Sequence, residues 1–305
     1  MDTTTRRSRM RRTPTGKRVE LTSRDLDIFR ALARYRYLSS TYIHEFVGGA
    51  SQTRFKERLG DLFHEGYIDR PSRQWEMADC RHRPVIHELG AGAKRILEQQ
   101  NIAEEPRAWL GGSVHRQFSH SLMVCETLAS IELGTRLCPG VRFISWPEIL
   151  AKAPVSTRAS AVPFRFPSPA PSGGVMPDGL FGLEYLAAET KSYRFFALEA
   201  DRSTMPVVRS DQNQTSYMGK LAAYRDLISR QVYKSHLGTP NLIVLTVTTA
   251  NQRLEEIMSR LREQSDCAAT FLFKALADRE RSLPVPRLLV EPWQRVGLPP
   301  LRIDQ

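Results

Sequence analysis

Apolar residues recur every three to four positions in three successive stretches near the start of this 305-residue chain. Leu26, Ile28, Phe29, Leu32 and Ala33 form the first stripe and predict a helix. Thr22 or Ser23 can cap it, and Asp25 and Asp27 fall where the positive end of the helix dipole favours an anion. Ser40 can cap a second helix over 41–46 with Ile43, Phe46 and Val47 inward, and Gly48-Gly49 stops it. Ser51 opens a third helix over 52–65, whose inner face is Phe55, Leu59, Leu62 and Phe63. After Gly66 a strand is predicted from Tyr67 toward Trp75, then a polar basic loop at 77–83, a partner strand at 85–89 and a closing helix at 93–100.

The pattern then pauses over 101–112, where Pro106 and Gly111-Gly112 mark a linker. Ser113 can cap a long helix with His115, Phe118, Leu122, Cys125, Leu128 and Ile131 on one side and Glu126 near the edge of that stripe. A strand follows at 141–146, and 151–174, rich in Ala, Pro and Ser, reads as a long loop with no core of its own. Strands are predicted at 175–183, with Asp178 near the start, and at 193–198, ending in Glu199-Ala200-Asp201. As hairpin partners they would bring Asp178 near Glu199. A helix over 214–233 places Tyr217, Lys220 and Tyr224 on one face, at i, i+3 and i+7. A strand at 241–248, a helix at 252–263 and a strand at 269–274 complete a mixed α/β domain over 113–283, before a Pro-rich tail at 284–305 with Trp293.

Charge sharpens the reading. The formal net charge of +11 favours a polyanionic partner. Residues 1–20 are expected to form a disordered basic arm that includes Arg11 and Arg12 and holds nothing from which to build a core. Four scattered cysteines without CxxC spacing argue against a zinc site or a disulfide framework and suit a reducing cytoplasm. There is no long apolar run for a membrane span, no secretory leader pattern and no GxxxxGK[ST] loop. His115 and His120 are five apart and so do not make an i, i+4 metal pair.

Two helices joined by a tight Gly turn after a supporting helix make a helix-turn-helix arrangement. The start of the third helix carries Gln52, Thr53, Arg54, Lys56 and Arg58, where such a helix meets DNA. Gln and Arg suit bidentate contacts with base edges, and Lys56 suits a phosphate. Arg70, Arg73, Arg81 and Arg83 decorate the hairpin. Over 21–100 the chain resembles the winged-helix family, through its three helices, the sequence EGYI, the hairpin and ELGAGAKRIL. The resemblance implies binding of double-stranded DNA; protein contact is the alternative use of the same shape.

The second domain resembles the core of the PD-(D/E)xK nucleases, a restriction-endonuclease-like mixed-sheet α/β fold, in Pro177-Asp178-Gly179 and Glu199-Ala200-Asp201, with Lys220 and Tyr224 following. The whole chain resembles the replication-relaxation family of plasmids and related mobile elements. That implies a DNA-binding protein in replication initiation or DNA relaxation and processing, with replication or relaxosome proteins and a second copy of the chain as candidate partners. In the nuclease form Asp178 and Glu199 would hold Mg²⁺, Glu126 would assist from the first helix, and a lysine would orient the attacking water. The usual lysine position is Asp201. Two readings stand: the lysine has moved to Lys220 and Asp201 joins the acidic cluster, or the site is inactive and the domain only grips DNA or a partner, as in a transcriptional regulator. A third is that Asp178 and Asp201 are only turn or strand-end residues.

Overall fold

The computed structural model describes residues 7–16, 19–77, 79–102, 118–167, 174–187, 190–202, 217–263, 268–277, 280 and 287–305. Most of the predicted linker, His115, Cys267, residues 168–173 of the long loop and the start of the helix predicted at 214 lie outside them. The described chain falls into two compact units, one up to residue 102 and one from residue 118 onward. No helix among the described residues is long and apolar enough to cross a membrane.

In the first unit α1 (Ser23–Tyr35) starts at a capping box between Thr22 and Asp25. Strand β1 (Leu38–Ser39) leads into α2 (Ser40–Val47). The cap is Ser39, one residue earlier than predicted, and its hydroxyl accepts from the Tyr42 amide. Helix α3 (Gln52–His64) is capped by Ser51 and buries Phe55, Leu59, Leu62 and Phe63 as its spacing required. Strands β2 (Ile68–Asp69) and β3 (Ile86–Leu89) follow, then α4 (Ala91–Gln99). The sheet order is β1-β3-β2, antiparallel throughout. Gly90 has to be glycine, because a Cβ there would come within 2.7 Å of the Gly66 carbonyl.

The predicted strand from Tyr67 to Trp75 is cut to two residues. Pro71 has no amide to offer a ladder, and Ser72–Glu76 turn into a short 3₁₀ helix. A side chain replaces the missing strand: buried Gln74 donates its amide to the Ile86 carbonyl at 2.9 Å and accepts the Ile86 amide at 2.9 Å. Residues 7–16 are held against the unit. The Arg12 guanidinium donates to the carbonyls of Phe63 at 2.9 Å and Ile68 at 3.2 Å and pairs with Asp69.

The second unit is built on a seven-stranded sheet. Helix α5 (Phe118–Thr135) is buried on nearly every side rather than along one stripe. Strand β4 (Val141–Ile144), α6 (Trp146–Lys152), α7 (Val155–Arg158), β5 (Gly179–Ala187) and β6 (Thr190–Asp201) follow. Next come α8 (Tyr217–Ser229), α9 (Val232–Leu237), β7 (Ile243–Thr248), α10 (Asn251–Arg262) and β8 (Phe271–Ala275). The chain ends in α11 (Arg287–Val290), β9 (Trp293–Arg295) and β10 (Leu298–Leu301). Strands β4, β5 and β6 form an antiparallel meander, β6, β7 and β8 run parallel, and β9 and β10 close the far edge antiparallel.

Three expectations change here. The single helix predicted to 233 breaks at Gln231, in the left-handed region at φ 52°, to give α8 and α9. The loop at 151–174 does contribute core: Phe164 and Phe166 are both 1% exposed, and Phe164 stacks on Trp146. The Pro-rich tail supplies two strands and a fully buried Trp293, whose indole N–H reaches the Leu288 carbonyl at 2.8 Å. Prolines are tolerated there because β10 is the edge of the sheet.

Candidate functional site

In the second unit the antiparallel β5–β6 register pairs Gly179 with Leu198, and the Asp178 amide donates to the Leu198 carbonyl at 2.9 Å. Asp178 therefore stands at the strand end across from Glu199. Opposed carboxylates on neighbouring strands repel unless something cationic lies between them. Lys220, from α8, does: its Nζ donates to Glu199 Oε2 and lies 4.0 Å from Asp178 Oδ1. One turn on, the Tyr224 hydroxyl donates to Glu199 Oε1 at 2.5 Å. His120 Nε2 is 3.2 Å from Asp178 Oδ2, and the Ala200 amide donates to the same oxygen at 2.9 Å.

Alternation along β6 puts Glu199 and Asp201 on one face, and parallel pairing sets them beside Thr246 and Thr248 of β7. Tyr217 fills the same layer, its hydroxyl 2.6 Å from Thr246 Oγ1. Glu199 is 2% exposed at the side chain, whereas Asp178 and Lys220 keep 21% and 25%. Burial, with the nearby Asp178 charge, pushes the Glu199 carboxyl up to about 8 against the pull of Lys220. Burial would also raise Asp178, yet Lys220, His120 and the Ala200 amide hold it below the usual carboxylate range. Lys220 is held above the ordinary lysine range because the two carboxylates outweigh its burial. The cluster is a protein-made clamp: one cation bridges two acids of unequal proton affinity, open to solvent on the Asp178 side.

Asp178, Glu199 and Lys220 thus come together. Asp201 takes another partner: Arg253 of α10 pairs with it, Nε to Oδ2 at 2.6 Å. Asp201, which one reading placed in the acidic cluster, forms a nearly buried ion pair with Arg253. Glu126 is buried on α5, further along the helix than His120. Lys191 lies at the β5–β6 hairpin and pairs with Glu184 at 2.8 Å. Among the described residues no group of three or more His, Cys, Asp or Glu forms a metal-holding cluster.

In the first unit Gln52, Thr53, Arg54 and Lys56 are exposed at the start of α3. Arg58 is not displayed with them. It turns inward to Asp25, donating at 2.9 and 2.6 Å, and to the Glu20 carbonyl at 2.7 Å. The reason is local: Asp25 is 1% exposed, and a buried carboxylate requires a partner. Arg11, Arg73 and Arg81 are exposed, and Arg83 is half-buried. Arg73 pairs with Glu76 at 3.0 Å. Arg70 stacks on Phe63 rather than decorating a hairpin. Sequence reasoning passed over His120 and Arg253, because their contacts join positions 58 and 52 residues apart and no spacing rule reveals such pairs.

No curated protein and no solved structure gives a significant match to the chain. A family model described as replication-relaxation matches residues 29–243, most of the chain and both of its units. By that match the protein belongs to the replication-relaxation family.

Proposed function

We propose that this is a duplex-DNA-binding protein of replication initiation or DNA relaxation, addressed by its first unit. The order of helices and sheet in that unit is that of a winged helix, in which the start of the third helix enters the major groove. The observation that carries the reading is the run Gln52, Thr53, Arg54 and Lys56. It is exposed on the first two turns of α3, while the apolar face and Arg58 are turned inward. Arg54 and Gln52 would read base edges and Lys56 a phosphate. Fluorescence anisotropy with a labelled duplex tests this. Affinity should fall steeply between 50 and 200 mM salt, as counterion release requires for roughly six or more phosphate contacts. Binding indifferent both to salt and to Arg54→Ala would sink the proposal.

A second reading, metal-dependent phosphodiester cleavage by the other unit, is favoured by the convergence of Asp178, Glu199 and Lys220. From α5 to β7 the order is helix, strand, two short helices, two strands, two helices and a strand; with the short α6, α7 and α9 set aside it resembles the PD-(D/E)xK core, with Lys220 in place of the strand lysine. The donors fit Mg²⁺: two carboxylates meet at a point that an ammonium already occupies, and Mg²⁺ commonly takes one or two carboxylates and fills the rest with water. Asp178 and Glu199 would hold it, and when bound it would acidify a water and neutralise phosphate charge. Lys220, displaced from Glu199, would donate to the attacking water or a phosphate oxygen. His120 fixes the rotamer of Asp178, and Tyr224 does so for Glu199.

Supercoiled-plasmid nicking with Mg²⁺, comparing the parent with D178A, E199A and K220A, decides between the readings. Loss of about 10³-fold or more in each variant supports cleavage. A parent protein that binds duplex but never nicks leaves the second unit as a gripping or partner-binding module.

A further inference from the structure

The first unit contains a cavity of about 890 Å³ between α3, the loop before β3 and the N-terminal segment. Its wall carries six cations, Arg7, Arg9, Lys56, Arg70, Arg81 and Arg83, against two carboxylates, Glu57 and Asp61. Asp61 is engaged by Arg7. Arg9 is committed to bracing the loop, donating to the carbonyls of Arg81 at 2.9 Å and Arg83 at 2.7 Å.

Two buried nitrogens on this wall, one of half-buried Arg70 and one of buried His87, lack a partner. Arg70 stacks its guanidinium 4.1 Å above Phe63 and gives one N–H to the Arg9 carbonyl at 2.7 Å, but its buried Nε has no partner. Burial and the charges of Arg9 and Arg7 bring it down to about 10. His87, on β3, is 1% exposed, and its Nδ1 has no partner. Burial first, then Arg70 and Arg9, keep its ring neutral, so it carries one N–H donor rather than a third charge. Unpartnered buried donors are costly, and a guanidinium crowded by two others is costlier still. A tetrahedral oxyanion in the cavity would balance the excess charge, and a small movement of the Arg70 guanidinium and the His87 ring would let it take up their N–H groups.

We propose that this cavity is a phosphate-binding site, with Arg70 and His87 on its buried side and Lys56 and Arg83 toward its mouth. The phosphate is either a backbone phosphodiester of duplex DNA, which rests on the DNA-binding reading above, or free phosphate, which does not. It would also fix the N-terminal segment in place, because Arg7 and Arg9 form one wall.

The test uses the full chain. Inorganic phosphate is titrated against chloride at constant ionic strength while Tm is read, and duplex affinity is measured with and without phosphate. Arg70→Gln is compared with Arg95→Gln, an exposed arginine on α4 away from the cavity. If duplex fills the site, phosphate competes with it and Arg70→Gln weakens duplex binding about tenfold while Arg95→Gln does not. If free phosphate fills it, phosphate raises the parent Tm, Arg70→Gln abolishes the rise, and duplex affinity stays within about twofold. A phosphate-dependent Tm rise in a chain that binds no duplex would refute the DNA reading and keep the site. The site is refuted when phosphate does nothing beyond chloride and Arg70→Gln matches Arg95→Gln on duplex. Should Arg70→Gln fail to fold, Arg83→Gln is read in the same two assays.

Discussion

Two charged clusters, one in each unit, are balanced in opposite ways. In the first unit, the cavity beside α3 gathers guanidinium groups with too few carboxylates, and its half-buried Arg70 and buried His87 have unpartnered nitrogens. In the second, Lys220 bridges Asp178 and Glu199, and Arg253 answers Asp201, so these carboxylates find their cations within the protein. An unbalanced cluster draws its missing charge from outside, whereas a balanced one holds its members at fixed distances and proton affinities. The first arrangement suits capture of a polyanion, and the second suits chemistry or rigid structure.

The comparison can be broken at its strongest point by removing Lys220. Lys220→Met should destabilise the second unit by about 3–5 kcal/mol, because it leaves two carboxylates facing each other beneath a helix. Glu199→Gln should cost far less. Burial has already raised that carboxyl, so its charge contributes less than that of Lys220, although the new amide nitrogen meets the donor of Lys220 or Tyr224. Urea unfolding of both variants checks the order, and equal losses would mean that the clamp is not electrostatic.

Next in size is Arg58→Gln in the first unit, expected to cost about 2–3 kcal/mol by stranding Asp25, with some relief because Arg58 is a third exposed. The pH sign follows from the same pair. Asp25 is held below its usual value: burial opposes this, but Arg58 and Thr22 prevail. Its contribution is therefore complete above the ordinary aspartate value of 3.8 and lost as pH falls through the lowered folded value. The parent should lose stability in that acid window, and the Arg58→Gln protein should lose less. The smallest effect is expected from Lys56→Gln, which removes the exposed side chain proposed to meet a phosphate. Duplex affinity should drop uniformly across sequences, and the salt slope should shrink by about one.

The longer helices and most strands were legible because their apolar spacing is strict, as the buried faces of α1 and α3 illustrate, whereas the short α6, α7 and α11 left no such pattern. The hairpin in the first unit was not, since the substitute for its missing strand is the amide of Gln74, which no periodicity records. The Pro-rich tail carried no strand pattern either, yet an edge strand tolerates its prolines. At the candidate site the pairing of Asp178 with Glu199 followed from hairpin register, and Lys220 with Tyr224 from helical phase. The partner of Asp201 and the fate of Arg58 depend on tertiary neighbours far along the chain.

The Gln74 substitution also sets how the first unit breathes. A backbone strand is held by a row of bonds that must fail together, whereas here the Ile86 amide is shielded by one side chain. That amide should exchange with deuterium well before those of β2 and the closing end of β3. Gln74→Leu should release it without melting α1 or α3. The loop ahead of β3 is braced by Arg9 and by the Ser40 amide on the Val85 carbonyl, but on the β2 side Ile86 is held by one side chain, and that side can be reshaped at the cost of one rotamer rather than one domain.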